Sequence, residues 1–353
     1  MSLFVELMQV SLGLRKSLSS NPTEKEWLSL FDTAQKQSVV GVAFEALEQL
    51  SKQGQKPPLS ILYDWIGLNE QIRQNNLIIN QRSADVSQIL SKYGFRSCIL
   101  KGQGNSSMYP NPLSRQPGDI DVWVDGDKNS IINCIHNLYP RAKVREHHVD
   151  FPIFNDVEVE VHFIPNFSVV GRYGKKLNDF FNDSKEKQFS HKVRLPSGVL
   201  ITIPTLEFNV IYQMSHMMRH FFSEGLGMRH ILDYYYLLKK LYIESGCHNY
   251  SSDFQALGMK KFAGGVMWVL KEYLGMDDAW LVNESDEKRG QLIIEEIIKS
   301  GNFGQYDDRA AKRVKEKSAT LSILIRNIKF LKLFPEESLS APITGLINRL
   351  AIG

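Results

Sequence analysis

At 353 residues, 43% hydrophobic and 23% charged, the chain can bury a substantial core and build two or three modules, which excludes a disordered reading. Its formal charge of +3 is too small to imply a polyanionic partner, so any basic surface must be local. Cys98, Cys134 and Cys247 are isolated and lack metal-ligand spacing, which argues against disulfides, a disulfide-linked partner and structural zinc.

The start, Met1 to Glu6, carries an early acid and no basic leader. No apolar run approaches the roughly 18 residues of a membrane span, so a cytoplasmic protein with no membrane association is the expectation. Up to about Lys92 the pattern is helical, with a start at Asn21-Pro22-Thr23-Glu24, a break at Lys56-Pro57-Pro58, and one long helix over Leu59–Lys92 stopped by Gly94. The middle then changes character. Phe95–Leu100 is short and apolar, a Gly-rich turn opens a helix from about Ser106, and Asp119–Val124 alternates as a strand. Asp127–Tyr139 reads as a helix. His147–Phe154 and Val157–Ile164 flank an Asn155-Asp156 turn, and His191–Leu195 and Val199–Ile203 flank Pro196-Ser197-Gly198. Beyond Pro204-Thr205 helices return, at Leu226–Ser245, Lys260–Leu274, Gly290–Ile298, Asp308–Leu333 and Leu339–Leu350. The expected class is α+β, a small mixed sheet over 93–204 between helical regions at 1–92 and 205–353.

The chemistry concentrates in that middle. On a strand, Asp119 and Asp121 leave on one side while Ile120, Val122 and Val124 leave on the other. Two carboxylates this close repel unless a cation lies between them, and magnesium favours a few carboxylates plus waters and phosphates. Glu158, Glu160 and His162 share one face of Val157–Phe163. Glu160 is preferred as the third acid, although a slip of two residues selects Glu158 instead. Gly102 and Gly104 would let backbone approach a triphosphate, because no Cβ blocks the path. Lys101 at the strand end has a phosphate role or an ordinary exposed one. Arg115 steadies phosphate or salt-bridges these acids, with structural pairing at least as favoured.

His216 and His220 share a helix face, four apart, as do Arg229 and Asp233. Helix packing is the default for the histidines and mutual bracing for Arg229 and Asp233; the other reading has this helix covering a nucleotide cleft. Late basic residues Arg309, Lys312, Arg313, Lys315, Lys317, Arg326, Lys329 and Lys332 fit a solvated helix face, which an RNA acceptor would also use.

Leu100-Lys101-Gly102, Arg115 through Gly118-Asp119-Ile120-Asp121, and Glu160-Val161-His162 resemble the nucleotidyltransferase superfamily that includes DNA polymerase β. They are most similar to its uncharacterised bacterial members, over about residues 93 to 240. The helical His216, His220, Arg229 and Asp233 match as well. The resemblance implies transfer of an NMP group from an NTP to an acceptor hydroxyl on a small molecule, protein or tRNA end. Asp119, Asp121 and Glu160 would then be both catalytic residues and ligands to two magnesium ions, with manganese as the substitute. Lys101, Gly102, Gly104, Ser106 and Arg115 would bind nucleotide, and His162, His216, His220, Arg229 and Asp233 would line the cleft. One departure is Gly102-Gln103, where the superfamily has Gly-Ser or Gly-Gly; Ser106 or Ser107 would have to replace the hydroxyl. The alternatives are a catalytically degenerate scaffold of the same fold and a metal-dependent phosphohydrolase.

Overall fold

A computed structural model of the chain describes residues 2–306 and 319–350. It is α+β: helices flank a four-stranded mixed sheet, and a separate two-stranded hairpin lies beside it. Helices α1 (Leu3–Ser11), α2 (Glu24–Lys36), α3 (Val40–Lys52) and α4 (Leu59–Lys92) come first. Thr23 caps α2 through a reciprocal box with Glu26, as the Asn21–Glu24 signal predicts. Gly94 takes a positive φ of 85° and turns the chain into the sheet.

The sheet holds β1 (Arg96–Leu100), β2 (Ile120–Asp125), β3 (His148–Asp150) and β4 (Val159–His162) in the order β1-β2-β4-β3. The central pair, β2 and β4, is parallel; both outer pairs are antiparallel. The crossover from β2 passes through α6 (Lys128–Leu138). Alternation along β2 sets its two faces. Ile120, Val122 and Val124 join one buried cluster with Ile79, Val86 and Leu90 of α4 and Ile131 and Ile135 of α6. Trp123 points the opposite way, against Phe189 of α7 (Gly174–Ser190) and Phe208 of α8 (Leu206–Ser223). A larger cluster joins apolar residues of α1–α3 with those of α8, α9 (Met228–Ser245), α10 (Ser251–Ala256), α11 (Lys260–Trp268) and α12 (Glu287–Ser300).

Several elements differ from their sequence patterns. The helix expected from Ser106 instead ends there: α5 spans Gly102–Ser106, because Lys101 and Gly102 both adopt positive φ and turn the chain directly off β1. Strand β3 stops at Asp150, and Pro152, which has no N–H for a ladder, lies just beyond it. The β3–β4 link is therefore a long loop, not a two-residue turn at Asn155-Asp156. The hairpin of β5 (Lys192–Arg194) and β6 (Leu200–Thr202) forms its own sheet. Helix α7 escapes the sequence pattern, being polar and without a side-chain cap. Of the expected helix Asp308–Leu333, residues 308–318, and with them Arg309, Lys312, Arg313, Lys315 and Lys317, lie outside the described residues; the remainder is helical over Ala319–Asn327 with a 3-10 turn at Ile328–Phe330. No helix among the described residues is long and apolar enough to cross a membrane.

The loop that carries Arg115 is wedged in place by α3. A Cβ on Gly41 would land on the Ser114 carbonyl oxygen, deep inside contact distance. Gly41→Ala is therefore expected to cost about 1–3 kcal/mol by overpacking, read as a lowered urea midpoint at unchanged slope. A neutral or stabilised variant would show that this approach is not tight.

Candidate active site

Asp121 and Glu160 are directly paired across the parallel strands β2 and β4. Asp119 immediately precedes β2, and all three carboxylates line a cleft of about 410 Å³ between the sheet and α8–α9. Glu158 lies one register step back, its carbonyl accepting from Ile120 N–H at 2.9 Å, and its side chain is exposed outside this cleft.

Asp121 is the buried centre of the group. Its Oδ2 accepts from Lys101 Nζ at 2.8 Å, and its Oδ1 lies 2.9 Å from His162 Nε2. Burial opposes its charge, yet these two partners hold its carboxyl well below the usual carboxylate range. Repulsion from Asp121, together with burial, pushes Asp119 up to about 6. Burial also works against Glu160, but His162 at 3.5 Å keeps it below its ordinary value. His162 itself loses protonation to burial and regains more from Asp121 and Glu160, ending above the ordinary imidazole value. Oxygen donors from three carboxylates, one of them destabilised by its neighbour, fit a hard divalent cation such as magnesium.

The backbone beneath Lys101 is strained: φ 49° and ψ −134° is a conformation few side chains tolerate. The strain delivers Nζ to Asp121 and to His216 Nε2, 2.9 Å away. From His216 a chain of contacts continues to His220 Nε2 at 2.8 Å and to Glu224, which faces His220 Nδ1 at 3.1 Å. Arg219 reaches His220 Nε2 at 3.1 Å. Burial, then Arg219, lowers His220 to about 4; Glu224, opposed by burial, is drawn down to about 2 by His220. His216 and His230 are driven well below the imidazole range by burial. Six of the nine histidines therefore gather here: His147, His148, His216, His220 and His230 line the cleft and His162 backs Asp121.

Other expected site residues sit elsewhere. Gly104 is buried, and a Cβ there would meet Ile203, so its smallness serves helix packing rather than phosphate approach. Ser106 is buried with its hydroxyl donating to the Gln103 carbonyl, away from the cleft. Arg115 touches the cleft, but its fork is committed to Asp233, Nε at 2.7 Å and a terminal nitrogen at 2.8 Å. Asp233 also accepts from the Tyr109 hydroxyl at 2.7 Å and from Asn105 at 3.1 Å. Arg229 consequently does not brace Asp233. It donates to the Gln116 carbonyl at 3.2 Å, and its Nε has no hydrogen-bond partner among the described residues. The departure at Gln103 also resolves locally, since its side chain turns into α4 toward Asn80 and Asn76. The sequence reading missed His147, His148, His230, Asn105, Gln213, Arg219 and Glu224; of these only the adjacent pair His147-His148 leaves a visible local signal.

The chain is similar in structure to an antigenic nucleotidyltransferase-like protein from Paracoccidioides brasiliensis, at 9% identity and a TM-score of 0.33, over 60% of this chain and 96% of that one. No curated protein matches the sequence. Residues 23–275, which contain β1 through α11 and every residue lining the cleft except Phe303 and Gln305, match the family described as uncharacterised nucleotidyltransferases, and the chain belongs to that family.

Proposed function

We propose that the cleft transfers an NMP group from an NTP to an acceptor hydroxyl, with Asp119, Asp121 and Glu160 holding magnesium. The observation that carries this reading is the in-register pairing of Asp121 with Glu160 beside Asp119, opposite a cationic wall. Magnesium, when bound, offsets charge on the attacking and leaving oxygens of an in-line displacement. The bond from the α-phosphorus to its bridging oxygen breaks, the acceptor oxygen bonds to phosphorus, and pyrophosphate leaves. Glu160 takes the acceptor proton. Lys101, released from Asp121, turns its ammonium to the polyphosphate.

The donor count in the wall supports an anionic ligand. His220 donates through Nδ1 to Glu224, which leaves its one Nε2 lone pair to be shared between Arg219 and His216, so the wall holds more donors than acceptors. Lys101 has Asp121 as its carboxylate partner, and the Arg229 Nε has no hydrogen-bond partner among the described residues. A triphosphate supplies the missing acceptors.

The competing scaffold reading draws on the internal neutralisation of Asp121 by Lys101 and His162. Thermal unfolding with each NTP, with and without magnesium, separates the two. The wild type is expected to gain about 2.7 kcal/mol at a ligand concentration of about 100 times Kd, only with magnesium, and Asp119→Asn is expected to lose that gain. Stability unmoved by any nucleotide would favour the scaffold.

A further inference from the structure

Three imidazoles stand together at the sheet edge of the cleft, outside the work given to the carboxylates. His148 and His162 face one another across β3 and β4, and His147 precedes β3. Their ring centroids are 4.8, 4.9 and 5.2 Å apart, and one ring nitrogen of each lies within 4.8 Å of the others. All three residues are more than nine-tenths buried, and among the described residues the Nδ1 of each has no hydrogen-bond partner, that of His148 having only the Glu160 carboxylate at 3.4 Å. Packing alone does not account for this, because apolar rings would fill the same space without three stranded polar atoms.

We propose that His147, His148 and His162 form a second metal site, taking a borderline divalent ion of the zinc class through imidazole nitrogens. The far nitrogen of His162 is already held in the manner that metal-binding histidines require, and that of His148 faces a carboxylate at longer range. His162 Nε2 lies 2.9 Å from Asp121, and His148 Nε2 lies 3.5 Å from Asp150. Such carboxylates fix the ring and leave the other nitrogen as a lone pair for the metal. Imidazole favours zinc, cobalt or nickel over magnesium, so the two sites are selective by ligand chemistry. Three histidines with a fourth position left open is a recurrent zinc arrangement, and His147 and His148 both line the cleft. Glu160 stands at the boundary, its Oε2 3.4 Å from His148 Nδ1, so the sites share an edge. The proposal requires neither NTP nor transfer.

The test is titration of the full chain, stripped with chelator, with Co2+ alone as the probe, in a Cys247→Ser background that removes the exposed thiol. The expected result is one equivalent bound with ligand-field absorption, displaced by Zn2+ and retained in excess Mg2+. Asp119→Asn should keep this binding. His147→Ala/His148→Ala should weaken it by about 100-fold or more, beyond what loss of an outer partner costs, with the metal-free circular dichroism unchanged. No absorption in the wild type, displacement by Mg2+, or undiminished binding in the double variant overturns the proposal. Should the double variant not fold, ring-nitrogen NMR of the wild type decides instead. Zn2+ must shift three histidine spin systems together, and a spectrum left unmoved refutes the site.

Discussion

Arg115→Ala is expected to lower the unfolding free energy by about 3–5 kcal/mol, the cost of leaving one member of a buried ion pair alone. The guanidinium makes two parallel bonds to Asp233, and that carboxylate also accepts from Tyr109 and Asn105. Arg115→Lys should recover only part of the loss, since a point charge cannot reproduce the fork. The pH dependence has a definite sign. Burial opposes the charge on Asp233, but Arg115 holds its folded pKa below the ordinary value. A depressed carboxyl contributes stability above its unfolded value of about 3.9, and loses it as pH falls through the folded one. The gap between wild type and Arg115→Ala should thus be widest near neutrality and narrow in acid. Urea denaturation across pH measures both effects. A loss below about 1 kcal/mol at pH 7 would mean that Asp233 escapes to water or takes up a proton.

Asp121→Asn is expected to reduce nucleotide transfer by about 10³-fold, about 4 kcal/mol of transition-state stabilisation. Asp121 is the carboxylate that meets Lys101, His162 and, across the strand pair, Glu160. Asparagine keeps the shape and removes the charge on which those contacts converge. Asp119→Asn should act more through nucleotide affinity, because Asp119 is exposed at the rim of the cleft, whereas Asp121 is buried against Lys101 and His162. The measurement is pyrophosphate release with magnesium, with circular dichroism to confirm folding. Full turnover in folded Asp121→Asn would remove the carboxylates from the mechanism.

The parts of this picture set by local periodicity were open to inspection in the sequence. Alternation through Ile120–Val124 and Val157–Phe163 assigned the carboxylates and the apolar residues to opposite faces, because side chains on a strand repeat every two residues. The choice between Glu160 and Glu158 depends on register, which is tertiary, and the parallel pairing sets Glu160 beside Asp121. Arg115 and Asp233 both stand out in the sequence, Arg115 with structural pairing favoured but no partner fixed, and Asp233 with Arg229 as its companion. Spacing of four residues suggested Arg229 for Asp233, whereas the bond spans 118 positions. Gly104 and Ser106 stand out as parts of a Gly-rich turn, and only the position of α5 shows Gly104 facing Ile203 and the Ser106 hydroxyl turned to the Gln103 carbonyl. The histidine gathering had the same origin: His147, His220 and His230 become neighbours of one cleft only after α8 and α9 close over the sheet.

The Arg115–Asp233 bond also bears on how such a gene can change. Arg115, Tyr109 and Asn105 come from the stretch between β1 and β2, while the carboxylate that they serve is carried by α9. A recombination that exchanged the sheet but not the helices would separate a charge from its counterpart in the interior. Selection should therefore pass the two segments on together, as one heritable block.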